Sequence, residues 1–165
     1  MDHSWKRYQL AGIRHAATVF GTGYLPKAPG TFGTLWGIPL AFSISRLEPM
    51  AQMVTTLVCV AVAVWVCEQF ERKIAMGRHD LPEVVIDEVV GYLVAFIWLP
   101  GNSVWSYLFA FVAFRFFDIL KPGPIRVIDR KVKGGFGVVA DDLAAGVAAS
   151  ICLQFALDRF NWSQW

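Results

Sequence analysis

The chain has 165 residues, of which 56% are hydrophobic, 15% aromatic and 17% charged, with a net charge of +2 and a mean hydropathy of +0.48. A chain this apolar is not an ordinary soluble domain and points to membrane-embedded or membrane-docked helices. So small a net charge, with no basic run interleaved with RNA-reading aromatics, excludes nucleic acid as an expected partner.

No Ser/Gly-rich linker divides the chain, so one domain over residues 1–165 is expected. The first twenty residues carry Lys6, Arg7, Arg14 and His15, and the apolar stretch after them is broken by Gly21 and Gly23. A cleavable signal peptide is therefore not expected here. Trp5, Tyr8 and Leu10 among those basic residues fit a short interfacial helix. Gly21 to Thr34, GTGYLPKAPGTFGT, is too rich in Gly and Pro for a regular helix or strand and is expected to be a loop. Such a loop can cradle a phosphate on its backbone N–H groups. Its spacing matches neither GxxxxGK[ST] nor GxGxxG, so a plain connection is the alternative.

Leu35 to Leu47 is apolar but short for a bilayer, with Pro39 expected near a first turn or at a kink. Met50 to Cys67 contains no charge and is long enough to be a candidate span. Glu68 to Arg78 follows as a polar helical segment in which Glu68 and Arg72, four apart, can pair on a solvated surface. His79, Asp80 and Pro82 mark a break. Cys59, Cys67 and Cys152 lie in apolar runs without metal-ligand spacing and read as small hydrophobes, with no disulfide framework.

The next helix opens EVVIDEVVG, placing Asp87 and Glu88 in an otherwise apolar segment. Adjacent residues are about 100° apart on a helix, so at least one carboxylate must look into the bundle. Wet carboxylates at a helix end are the alternative. One and two turns below Asp87 stand Gly91 and Ala95, a small-residue face that admits a close neighbour. Pro100, Gly101 and Asn102 form an expected turn. Val104 to Leu120 is the next helix, with Arg115 and Asp118 three apart. Pro124 suits the first turn of a short helix carrying Arg126, Asp129 and Arg130. The cluster Gly134, Gly135, Gly137 breaks that helix, and Val138 to Phe160 is the expected last one. Asp141 and Asp142 then fall near its first turn, where acids favour the macrodipole. Yet Ala145, Gly146 and Ala149 below them repeat the small face under Asp87, which favours a shared metal site.

Phe114 to Gly146 concentrates four Asp, three Lys and three Arg in an apolar chain. Asp87, Glu88, Asp118, Asp141 and Asp142 offer oxygen ligands only, an inventory suited to a hard cation such as Mg²⁺. Lys121, Arg126, Arg130, Lys131 and Lys133 stand beside them near a Gly-rich helix start, where a phosphate can be held. Together they describe a phosphoryl-transfer site. There is no CX5R, no DxD pair and no histidine after the basic cluster, so a thiolate, aspartyl-phosphate or histidine route is not expected.

The three separated stretches GTGYLPKAPGTFGT, EVVIDEVVG and FFDILKPGPIRVIDRKVKGGFGVVADDLAAG resemble the phosphatidylglycerophosphatase A family of bacterial phospholipid phosphatases, over about Gly21 to Gly146. The resemblance implies an all-α, multihelical bundle and Mg²⁺-dependent hydrolysis of phosphatidylglycerophosphate to phosphatidylglycerol and phosphate. It places the protein at the inner membrane, with the active site expected on the cytoplasmic side. The family's motifs fall on Asp87, Glu88, Asp118, Lys121, Pro122, Pro124, Arg126, Asp129, Arg130, Gly134, Gly135, Gly137, Asp141 and Asp142. In the N-terminal stretch they fall on Gly21, Gly23, Pro26, Pro29, Gly30, Thr31 and Gly33. The expected metal ligands are Asp87, Glu88, Asp118, Asp141 and Asp142. Asp87, Asp141 and Asp129 are the expected catalytic carboxylates, Asp129 returning a proton to the leaving glycerol hydroxyl or orienting Arg126 or Arg130. Lys121, Arg126, Arg130, Gly134, Gly135 and Thr31 are expected on the phosphate. A small membrane transport protein with intramembrane acids is the alternative from another class, and would spread its acids through membrane depth. A cytosolic bundle using its apolar surface for oligomerisation is a third.

Overall fold

The structure is a computed structural model that describes residues 4–76, 78, 81–97, 99 and 103–160. It is all helical over these residues: α1 (Ser4–Ala17), a 3-10 turn (Thr22–Tyr24), α2 (Pro29–Ile44), α3 (Pro49–Lys73), α4 (Ile86–Phe96), α5 (Val104–Leu120), α6 (Pro124–Lys131) and α7 (Gly134–Phe160). The expected breaks at His79 and Asp80 and at Pro100 to Asn102 lie outside the described residues.

The helix starts follow local chemistry. Proline stands in the first turn of α2, α3 and α6, where its missing N–H costs nothing. Ser103 caps α5 by accepting from the backbone N–H of Trp105 at 3.3 Å. Two boundaries differ from the sequence reading. The Gly21–Thr34 stretch is a loop only as far as Ala28, because Pro29 starts α2 and Gly30, Gly33 and Gly37 then lie on one helical face. A side chain on Gly33 would come 2.7 Å from Val85 Cβ, and one on Gly37 2.6 Å from Tyr92 Cδ1. These glycines are packing residues of a helix rather than turn residues. Pro39 falls in the interior of α2. The last helix begins at Gly134 rather than Val138, so Asp141 and Asp142 sit two turns inside it and its first turn holds no acid. Stabilisation of a helix N-terminus therefore does not account for them.

α4 is the centre of the bundle. Of its eight residues from Val89 to Phe96 all but Val94 are buried, and it packs against α7, α2, α3 and α5. Its tightest neighbour is α7. A side chain on Gly146 would overlap the carbonyl oxygen of Gly91, and one on Gly91 would come 2.9 Å from the carbonyl oxygen of Asp142 and 2.6 Å from Phe114. Ala95, Ala145 and Ala149 are fully buried along the same seam. The small faces read from the sequence thus meet each other.

The helices alternate so that α2 and α7 begin, and α3 and α5 end, at the level where α4 begins. The end of α2 and the first turn of α5 lie at the opposite end, where Ser45 Oγ and Tyr107 OH are 3.1 Å apart. Among the described residues two helices are long and apolar enough to cross a membrane, Pro49–Lys73 and Gly134–Leu157. α3 leaves Val54, Leu57, Val58, Val62 and Trp65 exposed, whereas more of α7 is buried. With the exposed apolar faces of α2 and α5, these helices support association with a membrane.

Replacing Gly146 by valine should force α4 and α7 apart and lower stability by about 1–3 kcal/mol, the usual cost of overpacking. Gly12, with nothing within 4 Å of an added Cβ, is the control: Gly12→Ala should be neutral or stabilising. Thermal unfolding of both variants in detergent checks this, and equal melting temperatures would refute the seam.

Candidate active site

Asp87 and Glu88 stand in the first turn of α4. That turn is placed from behind by Val85, which is fully buried and donates its N–H to the carbonyl of Ala17 at 2.9 Å. The Asp87 Oδ1 accepts from the N–H of Glu88 at 3.1 Å. Because α7 crosses α4 at Gly91 and Gly146, Asp142 arrives beside them. Ligand oxygens of Asp87, Glu88 and Asp142 lie within 4.8 Å of one another, and Asp87 and Asp142 are buried. Burial, and then the neighbouring carboxylate, push the Asp87 carboxyl well above its ordinary range. Burial raises Glu88 as well, against the opposing pull of Arg115.

The other two acids expected to join this group are held differently. Asp118 is buried on α5 and takes Arg115 Nη1 at 2.5 Å, while the same nitrogen stands 3.8 Å from Glu88. Asp141 pairs with Lys121, whose Nζ lies 2.5 Å from both Asp141 Oδ2 and Asp129 Oδ1. Burial opposes the Lys121 charge, but the hydrogen bonds to Asp129 and Asp141 outweigh it and raise its pKa above the ordinary value. Lys121 is also the C-cap of α5, with φ 43. Glycine is the favoured residue in that left-handed conformation. A lysine there ties the end of α5 to α6 and α7 through one ammonium.

The remaining residues surround this core. Arg126 donates to the carbonyl of Leu120 at 3.2 Å and is exposed, as is Arg130 on the same short helix. The start of α2 closes another side: a side chain on Gly30 would overlap Glu88 Oε1 and come 3.2 Å from Arg115 Nη1. Thr31 is the next residue, in a first turn without a side-chain cap. Gly134 and Gly135 open α7, but the Gly135 N–H donates to Glu68 Oε2 at 2.7 Å.

Two participants were not read as such from the sequence. Glu68 pairs with Arg72 as expected, at 2.6 Å, but also caps α7. Its i,i+4 partner masked that use. Arg115 was paired only with Asp118, yet it faces Glu88 too. A cation inside an apolar helix was the available signal. Glu88 Oε2 and Arg115 Nε are both buried without a hydrogen-bond partner. Buried polar atoms of this kind call for a ligand, ion or water. A three-carboxylate group with an orphaned oxygen and no nitrogen or sulfur ligand suits Mg²⁺ chemically.

All these acids gather at one end of the bundle, not along a path through it, which disfavours the transport alternative. Lys121→Met should leave Asp129 and Asp141 facing each other without a cation and lower stability by about 1–3 kcal/mol. Adding Asp141→Asn should restore part of that loss. Additive losses in the double-mutant cycle would show that the pair is not coupled.

Known proteins resemble the chain over most of its length. Residues 15–157 match the family described as Phosphatidylglycerophosphatase A. The Escherichia coli protein named Phosphatidylglycerophosphatase A is 35% identical over 156 residues, covering 93% of this chain and 89% of its own. The Haemophilus influenzae protein of the same name is 38% identical, covering 88% of this chain and 90% of its own. A Bacteroides thetaiotaomicron protein, provisionally named as a phosphatidylinositol-3-phosphatase, is 34% identical and covers 84% and 89%. No solved structure matches the chain. The chain belongs to the phosphatidylglycerophosphatase A family.

Proposed function

We infer that this protein hydrolyses phosphatidylglycerophosphate to phosphatidylglycerol and inorganic phosphate at a membrane, using Mg²⁺ held by Asp87, Glu88 and Asp142. The observation that carries the reading is the group of three carboxylates within 4.8 Å, with Glu88 Oε2 buried and unpartnered. The substrate follows from the two relatives named for it.

Charge explains why a cation belongs here. Asp87, Glu88, Asp118, Asp129, Asp141 and Asp142 face Arg115 and Lys121, so a phosphate monoester entering this group alone would meet mainly carboxylates. When bound, Mg²⁺ supplies neutralisation of that charge and polarisation of a phosphoryl oxygen. Asp118 and Arg115 orient Glu88 from behind. Lys121, with Arg126 and Arg130 from α6, neutralises charge growing on the phosphoryl oxygens. The first turn of α2, with Thr31 and without a cap, offers N–H groups to the same phosphate. Water attacks phosphorus and the P–O bond to glycerol breaks, the oxygen keeping the electron pair. The proton of the attacking water passes to the Asp129 carboxylate and from it to that oxygen; Asp129, with a side chain 30% exposed, is the more reachable partner of Lys121.

The side of the membrane follows from charge in the connections. The connections at the acid end carry Lys27, Arg78, Lys121, Lys133 and the α6 residues Arg126, Arg130 and Lys131, whereas the turn between α2 and α3 carries Arg46. Cytoplasmic connections are the basic ones. The active site thus faces the cytoplasm, at the inner membrane of a bacterial cell.

Phosphate release from phosphatidylglycerophosphate by the full chain in mixed micelles should require Mg²⁺ and stop with chelator. Asp87→Asn and Asp142→Asn should each lower turnover at least about a hundredfold, the scale of losing a transition-state electrostatic contact. Mg²⁺ should raise the melting temperature of the parent but not of Asp142→Asn. Release that continues in chelator would reject the metal, and faster release from phosphatidylinositol 3-phosphate would reject the substrate.

A further inference from the structure

At the end of the bundle opposite the acids, α2 and α5 part to leave a cavity of about 520 Å³, lined by Ile38, Phe42, Arg46, Val104, Tyr107 and Leu108 among others. Its size is that of a small-molecule site, and its walls are apolar except at one end, which carries Arg46, Ser103 and Tyr107. There Arg46 lays its guanidinium 4.4 Å from the centroid of the Phe42 ring. No carboxylate pairs with Arg46 among the described residues. Phe42 and Leu108 are 47% and 43% exposed, so the groove opens sideways along the bundle's apolar face.

Its position separates it from the active site. Gly30 abuts Glu88 on α2, and Phe42 lies twelve residues further along; Asp118 and Tyr107 are eleven apart on α5. At the rise of a helix this puts the groove about 16–18 Å from the carboxylates. A headgroup held at the acids does not reach Arg46. In the membrane orientation inferred above, on which this step rests, Arg46 lies towards the opposite leaflet.

We propose that this groove binds one anionic phospholipid, its phosphate on Arg46 and an acyl chain between α2 and α5. The chemistry fits at both ends. Arg46 has planar donors for a phosphodiester, and its aliphatic stem and the Phe42 ring keep it at the apolar boundary. Tyr107 OH and Ser45 Oγ, 3.1 Å apart, place hydroxyls near the groove's polar end. No covalent step is involved.

Native mass spectrometry of the full chain in a neutral detergent tests this, with phosphatidylglycerol and phosphatidylcholine of identical chains as probes. The parent should retain phosphatidylglycerol over phosphatidylcholine, and Arg46→Gln should reduce that preference about fivefold, as expected for one basic residue at a lipid headgroup. Leu108→Trp, which fills the groove, should lower retention of phosphatidylglycerol. Lys121→Ala should keep the preference, because retention at the active site would be lost with it. Arg46→Gln should also hydrolyse substrate within about twofold of the parent, since no catalytic contact is removed. Equal retention of the two lipids by the parent, or unchanged retention in Arg46→Gln or Leu108→Trp, overturns the proposal. So does loss of the preference in Lys121→Ala alone, which would assign the bound lipid to the active site. Failure of phosphate release in all proteins with the lipid preference intact would instead count against the catalytic reading.

Discussion

The contact between Gly91 of α4 and Gly146 of α7 is the constraint on which the rest of the structure depends. Without side chains at these positions the two backbones approach closely enough for the carbonyl of Asp142 to lie beside Gly91. With so little side chain at the crossing, close van der Waals packing of backbone on backbone holds the two helices. The same contact sets the register that brings Asp142 to Asp87 and Glu88. A bulkier seam would move the acids apart as well as loosen the bundle. Packing and site geometry are here one variable.

The surrounding ion pairs set how that acid group behaves. Three close carboxylates in a buried place are unfavourable, since burial and mutual repulsion both oppose ionisation. Arg115 relieves Glu88 only in part, at 3.8 Å, because its short contact is spent on Asp118. Lys121 is committed to Asp129 and Asp141. Among the described residues, the peripheral acids are thus paired internally and the central three have only Arg115 nearby, the arrangement on which the proposed Mg²⁺ site rests.

The all-helical class and the meeting of small-residue faces were legible in the sequence, because Gly91 and Ala95 below Asp87, and Ala145, Gly146 and Ala149 below Asp141 and Asp142, follow the period of a helix. The separation of the acids into three central and two peripheral members was not. Sequence spacing puts Asp141 and Asp142 side by side, and only the rotation of α7 against α4 decides which of them looks inward and which meets Lys121. The start of α2 was missed because Gly and Pro were counted as breakers. Gly30, Gly33 and Gly37 recur at helical spacing, and that periodicity outweighs composition once Tyr92 and Val85 need the room. The start of α7 was missed for a related reason, since Gly135 is fixed by Glu68 from α3, a partner 67 residues away.

That distant cap gives α3 a part beyond its apolar outer face. Glu68 lies near the end of α3 and takes the N–H of Gly135, while a side chain on Gly135 would come 2.6 Å from Glu68 Cα. The capping interaction and the close backbone approach act at the same point, so α7 can neither slide along α3 nor lose its first turn without giving up both. Two turns further on stand Asp141 and Asp142. The register of α7 is therefore fixed twice, by Glu68 at its start and by Gly91 at Gly146, with the two acids between the fixed points. A helix held at one point can rotate or slip. Held at two, it presents Asp142 to α4 and Asp141 to Lys121 as a consequence of backbone packing, before any cation or phosphate arrives.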